Sequence, residues 1–350
     1  MFAKRLEHVI YKIISPDQSA YIKGRFIGTS VRNLIDLFEY CENTNNAGAL
    51  ICADFLKAFD SVEHNFIYSV LRRFNFGENF ISWFNILYCD ASFKVKNNGW
   101  ISESISMSRG LRQGCSLSAL IFIMIVEVLG LMIRQSDNIS GIRIGDEEHR
   151  IIQYADDTTV CVRDLKSIKE VINIFDKFGI CSGLRLNYKK TKGIWLGNLK
   201  DSGLRLYENI IFTGNPVKCL GVYIGHKNCE YLNWSKKINK IEHCIQQWKK
   251  RKMSILSKIA VVKTFIISKI VYSASVLPVP ADFVTKLKTI VFEYIWGKRD
   301  RVKRTAITSK IKDGGLNMID IDCFIESLKA AWVKFFTSTG KWLDIWTFYL

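Results

Sequence analysis

Apolar and polar positions follow two rhythms along this chain. Up to about residue 228, short β-rich runs are interleaved with stretches of helical period; beyond about 230 the pattern is helical to the end. Helical spacing predicts helices over 1–14, 31–42, Ser61 to Phe74, Glu78 to Tyr88, Ser116 to Arg134 and Leu165 to Cys181, the last stopping at Gly183. Residues 15–30 read as a polar, Gly-containing loop. Apolar runs predict strands at 49–53, 142–144, 151–154, 158–162, 193–197, 210–213 and 218–225. Asn97-Asn98-Gly99, between Phe93 to Val95 and Trp100 to Met107, predicts a hairpin turn. The prolines number four, and Pro278 with Pro280 marks a break between two helices. The expected class is α+β: a mixed body followed by a helical lobe.

Composition adds a partner to this picture. The 350 residues, 48% of them hydrophobic, can bury more than one core. Fifty Lys and Arg against 33 Asp and Glu give a net charge of +17, which favours a polyanion, either nucleic acid or an anionic membrane surface. The charge is concentrated: residues 231–270 hold ten basic residues and one acid, and 298–312 hold seven and one. The most apolar run, Ala119 to Ile133, is interrupted by Glu127 and falls short of the roughly 20 residues a bilayer span needs, so no membrane segment is expected. Met1-Phe2-Ala3-Lys4-Arg5 leads into an amphipathic stretch and not a secretory signal. An intracellular site, nuclear or cytoplasmic, is expected, and Lys249-Lys250-Arg251-Lys252 suits nuclear import and RNA binding alike. Ten cysteines are scattered without a C-x-x-C pair, an argument against a zinc module and against a disulfide framework. His226, Cys229, His243 and Cys244 fit no zinc spacing.

Two adjacent carboxylates carry the chemistry. Tyr154-Ala155-Asp156-Asp157 sits between the β-rich runs 150–153 and 158–162, at or near the turn of a hairpin. Side-by-side carboxylates are unfavourable unless a cation neutralises them, and a divalent metal that also contacts phosphate is the natural counter-ion. Asp54 ends the apolar run 49–53. Two strands of one sheet can bring these acids together around two metals for phosphoryl transfer. Taken singly, Asp54 reads as a strand-end or N-cap residue, and it is the pairing with Asp156 and Asp157 that points to a metal.

The order and spacing of further segments resemble the reverse transcriptase domain of non-LTR (LINE-type) retrotransposons. Ala53-Asp54-Phe55-Leu56-Lys57-Ala58-Phe59-Asp60-Ser61-Val62 resembles the first catalytic motif of that family. Arg109-Gly110-Leu111-Arg112-Gln113-Gly114-Cys115-Ser116-Leu117-Ser118 resembles the second, and Tyr154 to Asp157 the third. Ser182 to Asn187 with Lys190-Thr191-Lys192, and then Cys219-Leu220-Gly221-Val222, resemble the last two palm motifs. Upstream, Ser15 to Arg25 resembles a finger segment.

The resemblance implies a right-hand polymerase: partial fingers over 1–48, a palm over 49–228, a basic helical thumb over 229–300 and a helical extension over 301–350. It implies an RNA-directed DNA polymerase that extends a primer 3′-OH on an RNA template, with dNTPs and Mg²⁺ (Mn²⁺ as a substitute). Asp54 and Asp156 would be the main metal ligands, and Asp157 would assist them. Phe55, Phe59, Gln113 and Gly114 would line the nucleotide pocket, Phe59 as the gate against a ribose 2′-hydroxyl and Gly114 by permitting close approach. Lys23 and Arg25 would contact the triphosphate, Lys190 would donate a proton to pyrophosphate, and Leu220-Gly221-Val222 would form a primer grip. Trp234, Trp248 and Trp296 would either stack on bases or pack between helices.

The family often has proline where this chain has Ser116 and Ala119. Earlier finger strands, an endonuclease and a zinc knuckle are also missing from it, so a polymerase fragment or a truncated element copy is expected. A catalytically silent, basic RNA-binding remnant is the alternative. An RNA-dependent RNA polymerase is disfavoured by Tyr-Ala-Asp-Asp and by the ring at Phe59. Nucleic acid is the expected partner, and the oligomeric state stays open.

Overall fold

The structure, a computed structural model, describes residues 2–202, 205–297, 300 and 302–339. The chain divides into two compact units, Met1–Leu220 and Gly221–Leu350.

The first unit is α+β, built on one six-stranded sheet. Its strands in chain order are β1 (Gly48–Ala53), β2 (Ile151–Tyr154), β3 (Asp157–Val162), β4 (Lys192–Leu196), β5 (Leu206–Tyr207) and β6 (Ile210–Phe212). They lie side by side as β5-β6-β4-β1-β3-β2. β1 is therefore central, antiparallel to β3 on one side and β4 on the other, and only the β4–β6 pair is parallel. Its residues Ala49, Leu50 and Ile51 are fully buried, as a strand covered on both faces requires. Helices Ser116–Arg134 and Leu165–Ser182 pack into the same core through Phe122, Ile125, Phe175 and Phe178.

Several helices differ from the expected spans at their ends. The helix expected from Ser61 forms as Ala58–Ser61 and His64–Arg73, broken at Val62 and Glu63. The helix expected over 31–42 runs Ile27–Thr44. Short strands Glu147–His149 and Leu206–Tyr207 were not foreseen; the first is polar and forms only by pairing with Ile142–Ile144.

The predicted hairpin turns at Asn98 and Gly99, both at positive φ as a two-residue type I′ turn requires. Its strands and the residues between them carry Phe93, Val95, Trp100 and Ile105, all exposed, with Trp100 at 82%.

Among the described residues, two helical stretches, Ser116–Arg134 and Ile255–Val276, are long and apolar enough to cross a membrane by length and composition. The sequence argument from a short run is therefore corrected: the first helix has 19 residues. What separates it from a membrane span is packing, because 72% of its apolar window is buried inside the fold.

The second unit starts with the strand Val222–Ile224, whose Tyr223 backbone is held on both sides by the Asn233 side chain, at 2.8 and 3.0 Å. This unit begins at Gly221, and the thumb was expected from 229. Its helices include Cys229–Lys249, Ala281–Trp296 and Ile321–Thr339. The stretch Ile255–Val276 contains a π-helical turn over Val262–Ile267. Trp234 is buried against Phe283, ring centroids 4.6 Å apart, and so serves packing. Trp248 packs on Phe265 and carries Arg251 over its face at 4.7 Å; Trp296 is partly buried against the same core. Of the expected C-terminal helical extension, residues 301 and 340–350 lie outside the described residues.

Candidate active site

The sheet register brings the carboxylates to one end of the sheet. β2 and β3 form a hairpin in which Tyr154 pairs with Asp157, leaving Ala155 and Asp156 as the two-residue turn. Such a turn needs a left-handed residue, and Ala155 supplies it at φ 53 without being glycine. On the other side of β3, Ala53 pairs with Thr158, so the next residues out, Asp54 and Asp157, leave the sheet at the same edge.

Asp54 is cradled by the segment that follows helix Leu165–Ser182. Asn187 donates from its backbone N–H to the Asp54 carbonyl at 2.7 Å and from Nδ2 to Oδ2 at 3.0 Å. The Asp54 N–H donates to Thr191 Oγ1 at 3.2 Å. The two backbone bonds hold the strand end in place, and the Nδ2 bond orients the carboxylate of a half-buried acid before any ligand arrives.

Asp54 and Asp157 share a cavity of about 380 Å³ with Lys189, Lys190, Lys192 and Lys218. The Asp157 pKa is raised, first because its carboxyl sits among protein atoms and then by the charges of Asp156 and Asp54, with Lys218 pulling it back. Among the described residues no group of three or more His, Cys, Asp or Glu is placed to hold a metal ion. The three acids are thus two on one cavity wall and one at the hairpin tip. Their mutual repulsion is what a bound cation relieves, so the donor chemistry fits a divalent ion while the spacing falls short of a closed three-carboxylate set.

A second cavity, about 610 Å³, is lined by Phe59, Gln113, Gly114, Arg112, Tyr21 and Glu7, among others. The Phe59 ring lies flat on Phe122, centroids 4.2 Å apart. Gln113 Nε2 donates to Asp60 Oδ1 at 3.2 Å. The loop carrying Gln113 docks on the Phe59 segment through Leu111 N–H to Phe59 O and Gly110 N–H to Val62 O, both 2.7 Å. A Cβ on Gly110 would stand 2.9 Å from the Asp60 carbonyl oxygen, so only glycine fits there. Gly114 differs: a Cβ there would meet nothing within 4 Å, and its reason is the positive φ of 79° rather than close approach. Helix Ser116–Arg134 starts on schedule without the family's prolines.

The reverse transcriptase (RNA-dependent DNA polymerase) family profile matches residues 1–232. The chain belongs to the reverse transcriptase family. Among similar proteins, a transposon TX1 uncharacterized 149 kDa protein of Xenopus laevis is 26% identical over 326 residues, covering 91% of this chain and 24% of that protein. A Pol polyprotein from the type-2 retrotransposable element R2DM of Drosophila melanogaster is 27% identical over 137 residues, covering 39% of this chain and 13% of that protein. The chain thus spans about a quarter or less of the length of these two relatives. Among solved structures, apo telomerase from Candida tropicalis aligns at TM-score 0.49 and 14% identity, over 84% of this chain and 49% of that one.

Set against the residues expected of a reverse transcriptase, the structure sorts them into three places. Asp54, Asp157 and Lys190 line the first cavity, and Phe59, Gln113 and Gly114 the second. Four others stand elsewhere. Asp156 sits at the hairpin tip and lines neither cavity. Phe55 is buried in the core against Phe175, on the opposite face of the strand end from Asp54. Arg25 is turned inward, where its guanidinium donates to the carbonyls of Ile14, Ser15 and Gln18, and burial lowers its pKa. Lys23 is exposed and lines neither cavity.

Sequence reasoning missed Lys218, which enters the first cavity from strand Val217–Cys219, and gave no role to Asn187 or Thr191, although both stood in quoted motifs. It also missed the Cys52–Cys219 disulfide, which lines the same cavity and joins residues 167 apart. Neither cysteine has a local partner signal, and only the fold brings β1 beside 217–219.

Proposed function

We propose that this chain is an RNA-directed DNA polymerase that extends a primer 3′-OH with dNTPs on an RNA template, as part of a non-LTR retrotransposon protein. The observation that carries this reading is the shared cavity in which Asp54 and Asp157, delivered by adjacent strands, face four lysines. Acids alone would repel a triphosphate. Lysines alone would bind it without organising the attack.

Asp54 and Asp157, with Asp156 beside them, would hold a divalent cation, Mg²⁺ or Mn²⁺. When bound, such an ion neutralises the phosphoryl group and lowers the pKa of an attacking hydroxyl. Asn187 and Thr191 keep Asp54 oriented for that task. Lys190, exposed at the cavity rim, is the proton donor for the leaving pyrophosphate, and Lys218 offsets negative charge beside Asp157. Phe59, steadied by Phe122, is the steric gate that favours dNTP over rNTP. In this reading the first unit supplies fingers and palm, and the basic helices of the second form a thumb that tracks a nucleic-acid backbone.

Primer extension on an RNA template with dNTPs and Mg²⁺ tests this, with wild type beside Asp156→Ala/Asp157→Ala. Extension by the wild type that disappears in the double variant is the expected result. RNA binding by both without extension by either would assign the chain to a silent RNA-binding remnant.

A further inference from the structure

The hairpin that carries Asp156 and Asp157 is held from outside the sheet. Gln18 lies against edge strand β2, bridged in parallel to Gln153, and is fully buried. Backbone bonds fix it there: Gln153 N–H to Asp17 O at 2.9 Å and Ser19 N–H to Gln153 O at 3.1 Å. Its side-chain amide then meets both backbone groups of one residue, Ala155. Gln18 Oε1 accepts from Ala155 N–H at 2.9 Å, and Gln18 Nε2 donates to Ala155 O at 3.4 Å. Ala155 is the left-handed residue of the turn, immediately before Asp156. A non-glycine residue in that region is strained and persists only when its surroundings over-determine it.

Gln18 is itself clamped. Arg25 holds the Gln18 carbonyl along with those of Ile14 and Ser15. Arg134 pairs with Asp17 at 3.0 Å and with the buried Glu127 on helix Ser116–Arg134. The carboxylate turn is thereby referred to the helical core through a chain of polar contacts, buried at Gln18 and Glu127 and partly buried between them.

We propose that Gln18 is a positioning residue for the carboxylate site, acting through Ala155 to set the direction in which Asp156 and Asp157 leave the hairpin. The catalytic part of this proposal rests on the polymerase reading above; the structural part does not. Gln18→Met keeps length and volume and removes both bonds to Ala155. Gln18→Glu keeps the acceptor for the Ala155 N–H. Two readouts are taken on the same proteins.

Amide hydrogen exchange should accelerate at Ala155 by about tenfold or more in Gln18→Met, with Val160 amide protection unchanged, and recover much of its protection in Gln18→Glu. In primer extension, kcat should fall on the order of tenfold or more in Gln18→Met, with KM for dNTP within about twofold of wild type and partial rescue in Gln18→Glu. Unchanged protection at Ala155 in Gln18→Met, or a kcat within about twofold of wild type, overturns the proposal. Should Gln18→Met fail to fold, Gln18→Asn, whose amide is one methylene short of the reach to Ala155, decides: faster Ala155 exchange than wild type, with Val160 protected, supports it, and wild-type exchange overturns it. A wild type that extends no primer removes the polymerase reading and leaves the exchange result to decide the positioning claim.

Discussion

The cavity beside Asp54 is walled by sheet strands and filled with charge, two acids and four lysines, whereas the one beside Phe59 is walled by docked loops and a helix start and has one acid, Glu7, and one base, Arg112, in its lining. In the first, position is fixed by strand register and by hydrogen bonds to Asp54. In the second, it is fixed by ring stacking and by loop backbone brought close at Gly110. The difference teaches how one fold divides its work. Charges that must act on a reacting phosphate need orientation fixed in advance, which paired backbone provides. A wall that sorts substrates by shape needs a rigid surface at the right height, which a stacked ring provides.

The contrast breaks first at Asp54. Asp54→Asn keeps the side-chain shape and one acceptor but removes a charge from the first cavity. Primer extension should fall on the order of a hundred- to a thousandfold. RNA affinity, measured by filter binding, should stay the same, because the basic surface is untouched. Loss of both together would mean that Asp54 supports the fold rather than the chemistry.

Phe59→Ala sharpens the other side. Here total dNTP incorporation should change little while rNTP incorporation rises on the order of tenfold, read in competition assays. Losing the partly buried ring and its stack on Phe122 should also cost on the order of 2–3 kcal/mol of stability in a denaturant melt. Unchanged discrimination would leave Phe59 as a core residue only.

The smallest effect is on stability against pH. Asp157 holds its proton more tightly in the folded chain than an ordinary carboxyl does, through burial and then through Asp156 and Asp54. Between the ordinary carboxylate range and the raised value, the folded state therefore binds more protons than the unfolded state, and stability falls as pH rises through that window. Above it the cost is complete. Asp157→Asn should melt on the order of a degree or two higher than wild type near neutral pH, and the gap should close as pH drops below the ordinary carboxylate range. A gap that ignores pH would trace the gain to packing rather than charge.

The parts legible in the sequence were those written in local pattern. The apolar run at 49–53, the helix Ser116–Arg134 and the Asn98-Gly99 turn are short-range signals, and the structure forms all of them. The hairpin turn beneath Asp156 was legible for the same reason. Phe55 was open to better reading: strand alternation puts it on the face opposite Asp54, toward the core. Arg25 and Gln18 were not legible in that way. Their roles lie in bonds to backbone carbonyls and to a turn 137 residues away, and a polar residue in a polar loop gives no sign of burial. Lys218 likewise enters the site only because strand 217–219 folds against β1.

The Cys52–Cys219 bond encloses more than a cavity wall. Asp54, Phe59, Gln113, Asp157, Lys190 and Lys218 all lie between its two ends in sequence, inside one covalent ring. A single protease cut within that ring, for example in the exposed hairpin around Trp100, opens the ring without releasing a fragment. The nicked protein keeps its full mass on a non-reducing gel and separates into two pieces only when the bond is reduced. With the bond formed, the candidate site residues remain parts of one molecule after the chain between them has been severed.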